Sequence, residues 1–274
     1  MKKKLIFLDI DGTLTPAGSN TPPDSAVQAI RAAQRNGHMV FLSTGRNLAM
    51  LKPVLAYGFD GVVASAGGYV TVRDKVIYDC PMTDTQRDLA LEVLKRNGVF
   101  RTIESIDATF GDSGLADLLA SAGPGNSEIE RWRKALAENL GIQPMERYDG
   151  RPIYKVVIMC LNEKQLEEPR ALLEQEFQFC IQDVPAHGCL NGELINRAFD
   201  KGRGIRKVCA ELGMEPEDTI CFGDSMNDRE MMDVAGVSVC MANGSEELKK
   251  QCDIVCPSVQ EDGLAKEFAA LGLV

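Results

Sequence analysis

The chain has 274 residues, 45 % of them hydrophobic and 26 % charged, with a formal net charge of −10 at pH 7. That length allows one large domain or two modest ones, and that apolar fraction excludes wholesale disorder. The acidic balance argues against nucleic acid or an anionic membrane as the main partner, and two histidines, His38 and His187, nearly exclude a multi-histidine zinc site or a His-based triad.

In chain order, Lys4 to Ile10 is an apolar run that predicts a buried parallel strand. A turn-rich stretch from Gly12 to Pro23 leads to a helix carrying Val27, Ile30 and Ala33, closed by Gly37 as a C-cap glycine. His38 to Ser43 predicts a second strand, Leu51 to Leu55 the body of a helix, and Gly61 to Ser65 a third strand. This alternation is the rhythm of a doubly wound, Rossmannoid α/β sheet with parallel strands. Tyr69 to Val72 and Lys75 to Tyr78, joined at Arg73-Asp74, then read as a hairpin.

The rhythm changes after that hairpin. Thr83 with Gln86 is a capping-box start for a helix reaching Asn97-Gly98, and Val99 to Ser105 predicts a strand. Helices are expected over Ser113–Ala122 and Glu128–Leu140, a strand over Ile153–Leu161, a helix over Glu163–Glu176 and a strand over Phe177–Val184. Strands and helices without regular alternation suggest a separate α+β unit. After Gly192 come a helix at Lys201–Leu212, strands at Thr219–Phe222, Val237–Cys240 and Ile254–Val255, and a closing helix at Leu264–Leu271. The expected division is a core of residues 1–82 and 191–274 interrupted by an inserted α+β domain at 83–190.

The nine cysteines form no C-x-x-C pair and mostly sit in apolar runs, so they read as reduced, buried thiols. The first apolar stretch, Leu5 to Leu8, ends at Asp9, and no run of about 20 apolar residues exists to cross a membrane. A soluble cytoplasmic protein with no membrane or nucleic-acid partner is expected; oligomeric state is not legible.

Four segments carry chemistry. Asp9-Ile10-Asp11-Gly12-Thr13 follows the first strand, where open α/β sheets bind ligands, and residues two apart on an extended segment point the same way. Two close carboxylates repel unless a cation or proton lies between them. The bland reading is a solvated acidic turn. Ser43-Thr44-Gly45-Arg46 ends the second strand with the hydroxyl and close-approaching glycine amide that a phosphate oxygen requires, though an N-cap and turn glycine look the same. Gly223-Asp224-Ser225-Met226-Asn227-Asp228 brings two more carboxylates to that sheet edge, and an oxygen-only cluster suits Mg²⁺ rather than zinc. Lys201, at the start of a core helix, supplies a fixed positive charge there or is merely solvated surface.

Taken together, Asp-x-Asp-Gly-Thr, Ser-Thr-Gly-Arg, Lys201 and Gly-Asp-x-x-Asn-Asp make the sequence resemble the haloacid dehalogenase superfamily of phosphotransferases. The insert between the second and third motifs resembles the large α+β cap of its Cof-like phosphatases. The resemblance implies a Mg²⁺-dependent phosphatase in which Asp9 is the nucleophile and forms an aspartyl-phosphate, and Asp11 is the general acid and base. Mg²⁺ would be held by Asp9, the Asp11 main-chain carbonyl and Asp224. The phosphoryl group would be held by Thr44, Gly45, Lys201, Asn227 and the Ile10 amide, with Arg46 and Asp228 in support. One departure stands out: Ala66-Gly67-Gly68 follows the third strand where Cof-like proteins usually carry Asn-Gly-Ala or Asn-Gly-Gly.

Three rivals share parts of this pattern. A phosphomutase of the same superfamily would keep Asp9 and Asp11 but retain the phosphoryl group, and a non-catalytic phosphate-binding regulatory relative is disfavoured because every chemical position is filled. A receiver-type regulatory domain would be about half this length. Six of the ten excess negative charges fall in 83–190, which favours small phosphorylated metabolites, sugar phosphates above all, over polyanions. Recognition of the leaving group is expected from that insert, with Arg46 at the rim and hinges near Cys80-Pro81-Met82 and His187-Gly188-Cys189. Trp132 reads as part of an amphipathic helix, and Met226, Met231 and Met232 as core.

Overall fold

The structure, a computed structural model, describes residues 2–114, 141–182 and 189–274. The helix expected over Glu128–Leu140 with Trp132, nearly all of that over Ser113–Ala122, and His187 lie outside the described residues. The chain divides into two compact units, Met1–Asp79 with Phe199–Val274, and Cys80–Ala198.

The first unit is built on strands β1 (Leu5–Leu8), β2 (Met39–Ser43), β3 (Gly61–Ala64), β4 (Tyr69–Val72), β5 (Lys75–Asp79), β12 (Thr219–Gly223), β13 (Val237–Met241) and β14 (Ile254–Cys256). They form one sheet in the order β14-β13-β12-β1-β2-β3-β4-β5. The first six in that order pair parallel, while the β4–β5 hairpin extends the sheet antiparallel beyond β3. Successive side chains on a strand face opposite ways, and β1 shows it. Ile6 and Leu8 pack with α1 (Asp24–Arg35), α2 (Leu48–Leu55) and α8 (Gly263–Ala270). Leu5 and Phe7 pack on the other face with α5 (Lys201–Leu212), α6 (Arg229–Met232) and α7 (Glu246–Lys249). Every β1 and β2 residue is buried, which is why these strands are apolar at every position but Ser43 rather than alternating. Phe7 and Phe41 stack at 5.0 Å between ring centroids, joining the two strands.

Met231 and Met232 are core residues, and Met226 packs against the same cluster. None of the nine cysteines is in a disulfide. No helix among the described residues is long and apolar enough to cross a membrane.

The second unit is built on strands β6 (Phe100–Ser105), β7 (Thr109–Gly111), β8 (Ile142–Pro144), β9 (Ile153–Cys160), β10 (Phe177–Gln182) and β11 (Leu190–Asn196). They form an antiparallel-rich sheet in the order β10-β11-β9-β6-β7-β8. Helix α3 (Asp84–Arg96) starts with the capping box expected from Thr83 and Gln86, and packs with α4 (Glu167–Leu173) over Ile103, Val156, Ile158 and Leu194. The helix expected over Glu163–Glu176 is a 3₁₀ turn at Glu163–Leu166 followed by the shorter α4.

Three strands were not expected from the sequence: β7 and β8, at three residues each, and β11. The last one moves a boundary. Leu-Asn-Gly-Glu-Leu-Ile-Asn is interrupted by glycine and asparagine, but it pairs with both β9 and β10. The chain therefore leaves the second unit after Ala198 rather than at the expected 190/191, and enters it at Cys80 rather than at residue 83.

Candidate active site

Strand order locates the site. From β1 the chain proceeds outward through β2 and β3 in one direction, and later from β12 through β13 and β14 in the other. The paired strands β1 and β12 mark the switch point, where the two connections diverge at the carboxyl ends of the strands, the place where open α/β sheets bind ligands. The loops after β1, β2, β3 and β12 all open there.

Asp9 leaves β1 directly, its amide donating to the Phe222 carbonyl of β12 at 3.0 Å. Asp9 is 6 % exposed, and its carboxylate accepts a hydrogen bond from the Lys201 ammonium at 2.9 Å. Lys201 opens α5 and is 3 % exposed, so it is not the solvated lysine that its position alone permits. Its second partner is Asp228 Oδ1 at 2.6 Å. The other oxygen of Asp228 accepts from the amides of Asp224 at 3.0 Å and Ser225 at 3.2 Å. With both oxygens engaged and no exposure, Asp228 fixes Lys201 and the Asp224 loop.

Asp9, Asp224 and Asp228 each offer a carboxylate oxygen within 4.8 Å of the others. Asp224 is driven up to about 8, chiefly by burial and then by the Asp9 and Asp228 charges. Asp9 is also raised, by burial and Asp228, while Lys201 pulls it down. Burial alone would lower Lys201, but the two carboxylates more than offset it and its pKa rises. Three carboxylates against one ammonium leave the cluster short of positive charge, so it favours a proton or a cation.

Gly12 makes this approach possible. Its φ is +86°, and a Cβ there would lie 2.2 Å from Asp224 Oδ2. A residue that sequence reasoning missed holds the same loop: Asn243, beyond β13, donates to the Gly12 carbonyl at 2.8 Å and accepts from the Val259 amide at 3.1 Å. An asparagine before a turn glycine, Asn243-Gly244, carries no local signal of that contact.

Asp11 has a different partner from Asp9. Arg46 grips both its oxygens, Nε to Oδ2 at 2.9 Å and Nη2 to Oδ1 at 2.6 Å. Arg46, expected at a substrate rim, is thus a partner of Asp11. Ile10 is buried, with its carbonyl taking the Thr13 and Thr15 amides of the turn. Thr44 is 2 % exposed at the end of β2; its amide donates to Val63 and its hydroxyl accepts from the Arg46 amide. Gly45 lies between them. Asn227 is exposed and accepts from the Ser225 hydroxyl at 3.0 Å.

After β3 the chain turns through two consecutive left-handed residues, Ser65 (φ 50°) and Ala66 (φ 57°). Their amides donate to the Arg46 and Thr44 carbonyls, so this loop buttresses the Thr44-Gly45-Arg46 loop. Gly67 next to them approaches so closely that a Cβ would lie 2.2 Å from the Asp200 carbonyl. Alanine in this conformation is strained by roughly 1–2 kcal/mol, so Ala66→Gly is expected to stabilise the fold by about 0.5–1 kcal/mol in urea unfolding. A lower urea midpoint would contradict that account.

Comparisons with known proteins identify the family. The sequence profile of the haloacid dehalogenase-like hydrolases matches residues 6–268. The chain is 31 % identical to a phosphoglycolate phosphatase of Methanosarcina acetivorans over 275 residues, covering 99 % of this chain and 97 % of the other. It is 27 % identical to the 5-amino-6-(5-phospho-D-ribitylamino)uracil phosphatase YwtE of Bacillus subtilis, covering 96 % of each. In fold it is similar to a haloalkanoate (HAD) superfamily phosphatase of Bacteroides thetaiotaomicron, with a TM-score of 0.81, 20 % identity, and 99 % and 96 % of the two chains covered. A profile spanning nearly the whole chain, together with an aspartate-lysine cluster at the β1/β12 switch point, decides the matter: the chain belongs to the haloacid dehalogenase-like hydrolase family.

Proposed function

We propose that this protein is a Mg²⁺-dependent phosphatase that hydrolyses small phosphorylated metabolites, sugar phosphates foremost, through an aspartyl-phosphate on Asp9. The observation that carries the reading is the buried Asp9–Lys201–Asp228 chain beside Asp224. Lys201 keeps one oxygen of Asp9 fixed and screens its charge, so that an anionic phosphoryl group can approach an anionic nucleophile.

The donor set fits the metal. Asp9 and Asp224 offer hard oxygen ligands, and no histidine or cysteine is among the clustered groups. Both carboxylates are raised, first by burial and then by the charge of neighbouring carboxylates, Asp228 among them, so a cation there would relieve the repulsion. Asp9, Asp224 and the Asp11 carbonyl would hold Mg²⁺, with Asp228 orienting them; bound there, it supplies charge neutralisation for the phosphoryl transfer.

The remaining work falls to the chain's own groups. A carboxylate oxygen of Asp9 attacks phosphorus as the bond to the leaving oxygen breaks. Asp11 donates a proton to that oxygen, then accepts one from the water that hydrolyses the aspartyl-phosphate and frees phosphate. Thr44, Gly45, Asn227 and the Ile10 amide are assigned to the phosphoryl oxygens. All of these groups serve phosphate or metal, so selection of the leaving group is assigned to the second unit.

Excess chelator is expected to abolish turnover of a generic aryl phosphate and added Mg²⁺ to restore it; full turnover in chelator would remove the metal assignment. The pH dependence carries a sign. Asp224 moves from an ordinary 3.8 to about 8 on folding, so between those values the folded protein binds more protons than the unfolded chain. This term makes cation-free stability fall as pH rises through that window. Mg²⁺ competes with those protons, so its thermal shift is expected to be larger at pH 8 than at pH 6. An equal or reversed shift argues against the cluster as the cation site.

Substrate class is tested by a panel of phosphorylated metabolites, in which sugar phosphates are expected to exceed nucleoside polyphosphates in kcat/KM. Preference for the polyphosphates would overturn the charge argument.

A further inference from the structure

The guanidinium of Arg46 is committed on three nitrogens. Nε and Nη2 take the two oxygens of Asp11, and Nη1 donates to Asn20 Oδ1 at 2.7 Å. Arg46 is only 9 % exposed, and its main chain is fixed at both ends: the amide donates to Thr44 Oγ1 at 3.2 Å and the carbonyl accepts from the Ser65 amide at 2.9 Å. The Gly18 amide, from the turn that carries Asn20, reaches Asp11 Oδ1 at 3.2 Å. A planar fork anchored this way fixes both the position and the plane of the carboxylate it grips, which a point charge cannot do.

We propose that Arg46 is the positioning residue of Asp11, aiming its carboxylate through the bidentate pair, and that Arg46 tethers the 18–20 turn to the same frame through Asn20. This rests on the reading of Asp11 as the acid and base. Proton transfer requires an oxygen within hydrogen-bond reach of the leaving group, and a displacement of about 1 Å lowers the rate by roughly 10²-fold.

The test is a double-mutant cycle on the full-length protein with Mg²⁺ and a sugar phosphate. Arg46→Ala is expected to lower kcat about 10²-fold with KM changed less than about threefold, and millimolar guanidinium to recover at least about tenfold of the loss. In an Asp11→Asn background the same change is expected to have almost no effect. Should Arg46→Ala fail to fold, Arg46→Lys keeps the charge without the fork and is expected to lose about tenfold in kcat, again only when Asp11 is present. An equal loss in both backgrounds, or a raised KM with kcat intact, means that Arg46 binds substrate directly and overturns the proposal. Full activity of Asp11→Asn alone instead removes the acid–base reading beneath it.

Discussion

Asp9→Asn is expected to abolish turnover, by about 10⁵-fold or more, and to leave no phosphoenzyme on any substrate. An amide has no anionic oxygen to attack phosphorus, and removal of a covalent nucleophile is among the largest single losses in catalysis. The fold should survive, because Asn has nearly the same shape and no longer carries a charge into a site where Asp9 is 6 % exposed. Asp11→Asn separates the second role. It keeps the nucleophile but loses the acid and base, so a loss of about 10²–10⁴-fold is expected, together with phosphoenzyme that accumulates because its hydrolysis slows. Quenched-flow trapping with a labelled phosphate donor reads both variants. Label found in Asp9→Asn, or on any residue but Asp9 in the parent, contradicts the scheme.

Lys201→Met has the next largest expected effect, and it strikes stability as well as rate. The lysine lies between two buried carboxylates, at 2.9 Å from Asp9 and 2.6 Å from Asp228. Removing one partner of a buried pair leaves uncompensated charge, typically at about 3–5 kcal/mol. Asp228 has no solvent contact to fall back on. Without Lys201 the pKa of Asp9, which the ammonium holds down, rises further, so the folded variant holds an extra proton over a wider range than the parent. Its stability must then fall as pH rises, with the largest deficit near pH 8 and a smaller one near pH 5, where protons replace the ammonium. Denaturant unfolding at both pH values without divalent cation measures this; a deficit independent of pH would mean that lost packing, not charge, is the cause. Turnover is expected to drop at least about 10³-fold, because the charge facing the transferring group is gone.

The sequence by itself determined the first unit's alternation of strands and helices, because strands buried on both faces are mostly apolar runs and the longer helices between them place apolar residues at a helical period. It determined the capping box at Thr83 and Gln86 as well, because the signal lies within four residues. It also determined which side chains end at the sheet edge, since Asp9, Thr44 and Asp224 each follow a strand directly.

Only the tertiary structure decided what those side chains do to one another. Nothing local says that Lys201 is buried between Asp9 and Asp228, 192 and 27 positions away, or that Arg46 turns to Asp11 across 35 positions. Nor does the local sequence reveal that Asn243 holds the Gly12 carbonyl 231 positions away. The strand Leu190–Asn196 was hidden likewise, because its neighbours β9 and β10 are what make a glycine-interrupted segment extend. The physical reason is common to all of these cases. Propensity, capping and hydrophobic period act within a few residues, whereas ion pairing and strand pairing depend on which segments the sheet order brings within about 3–5 Å.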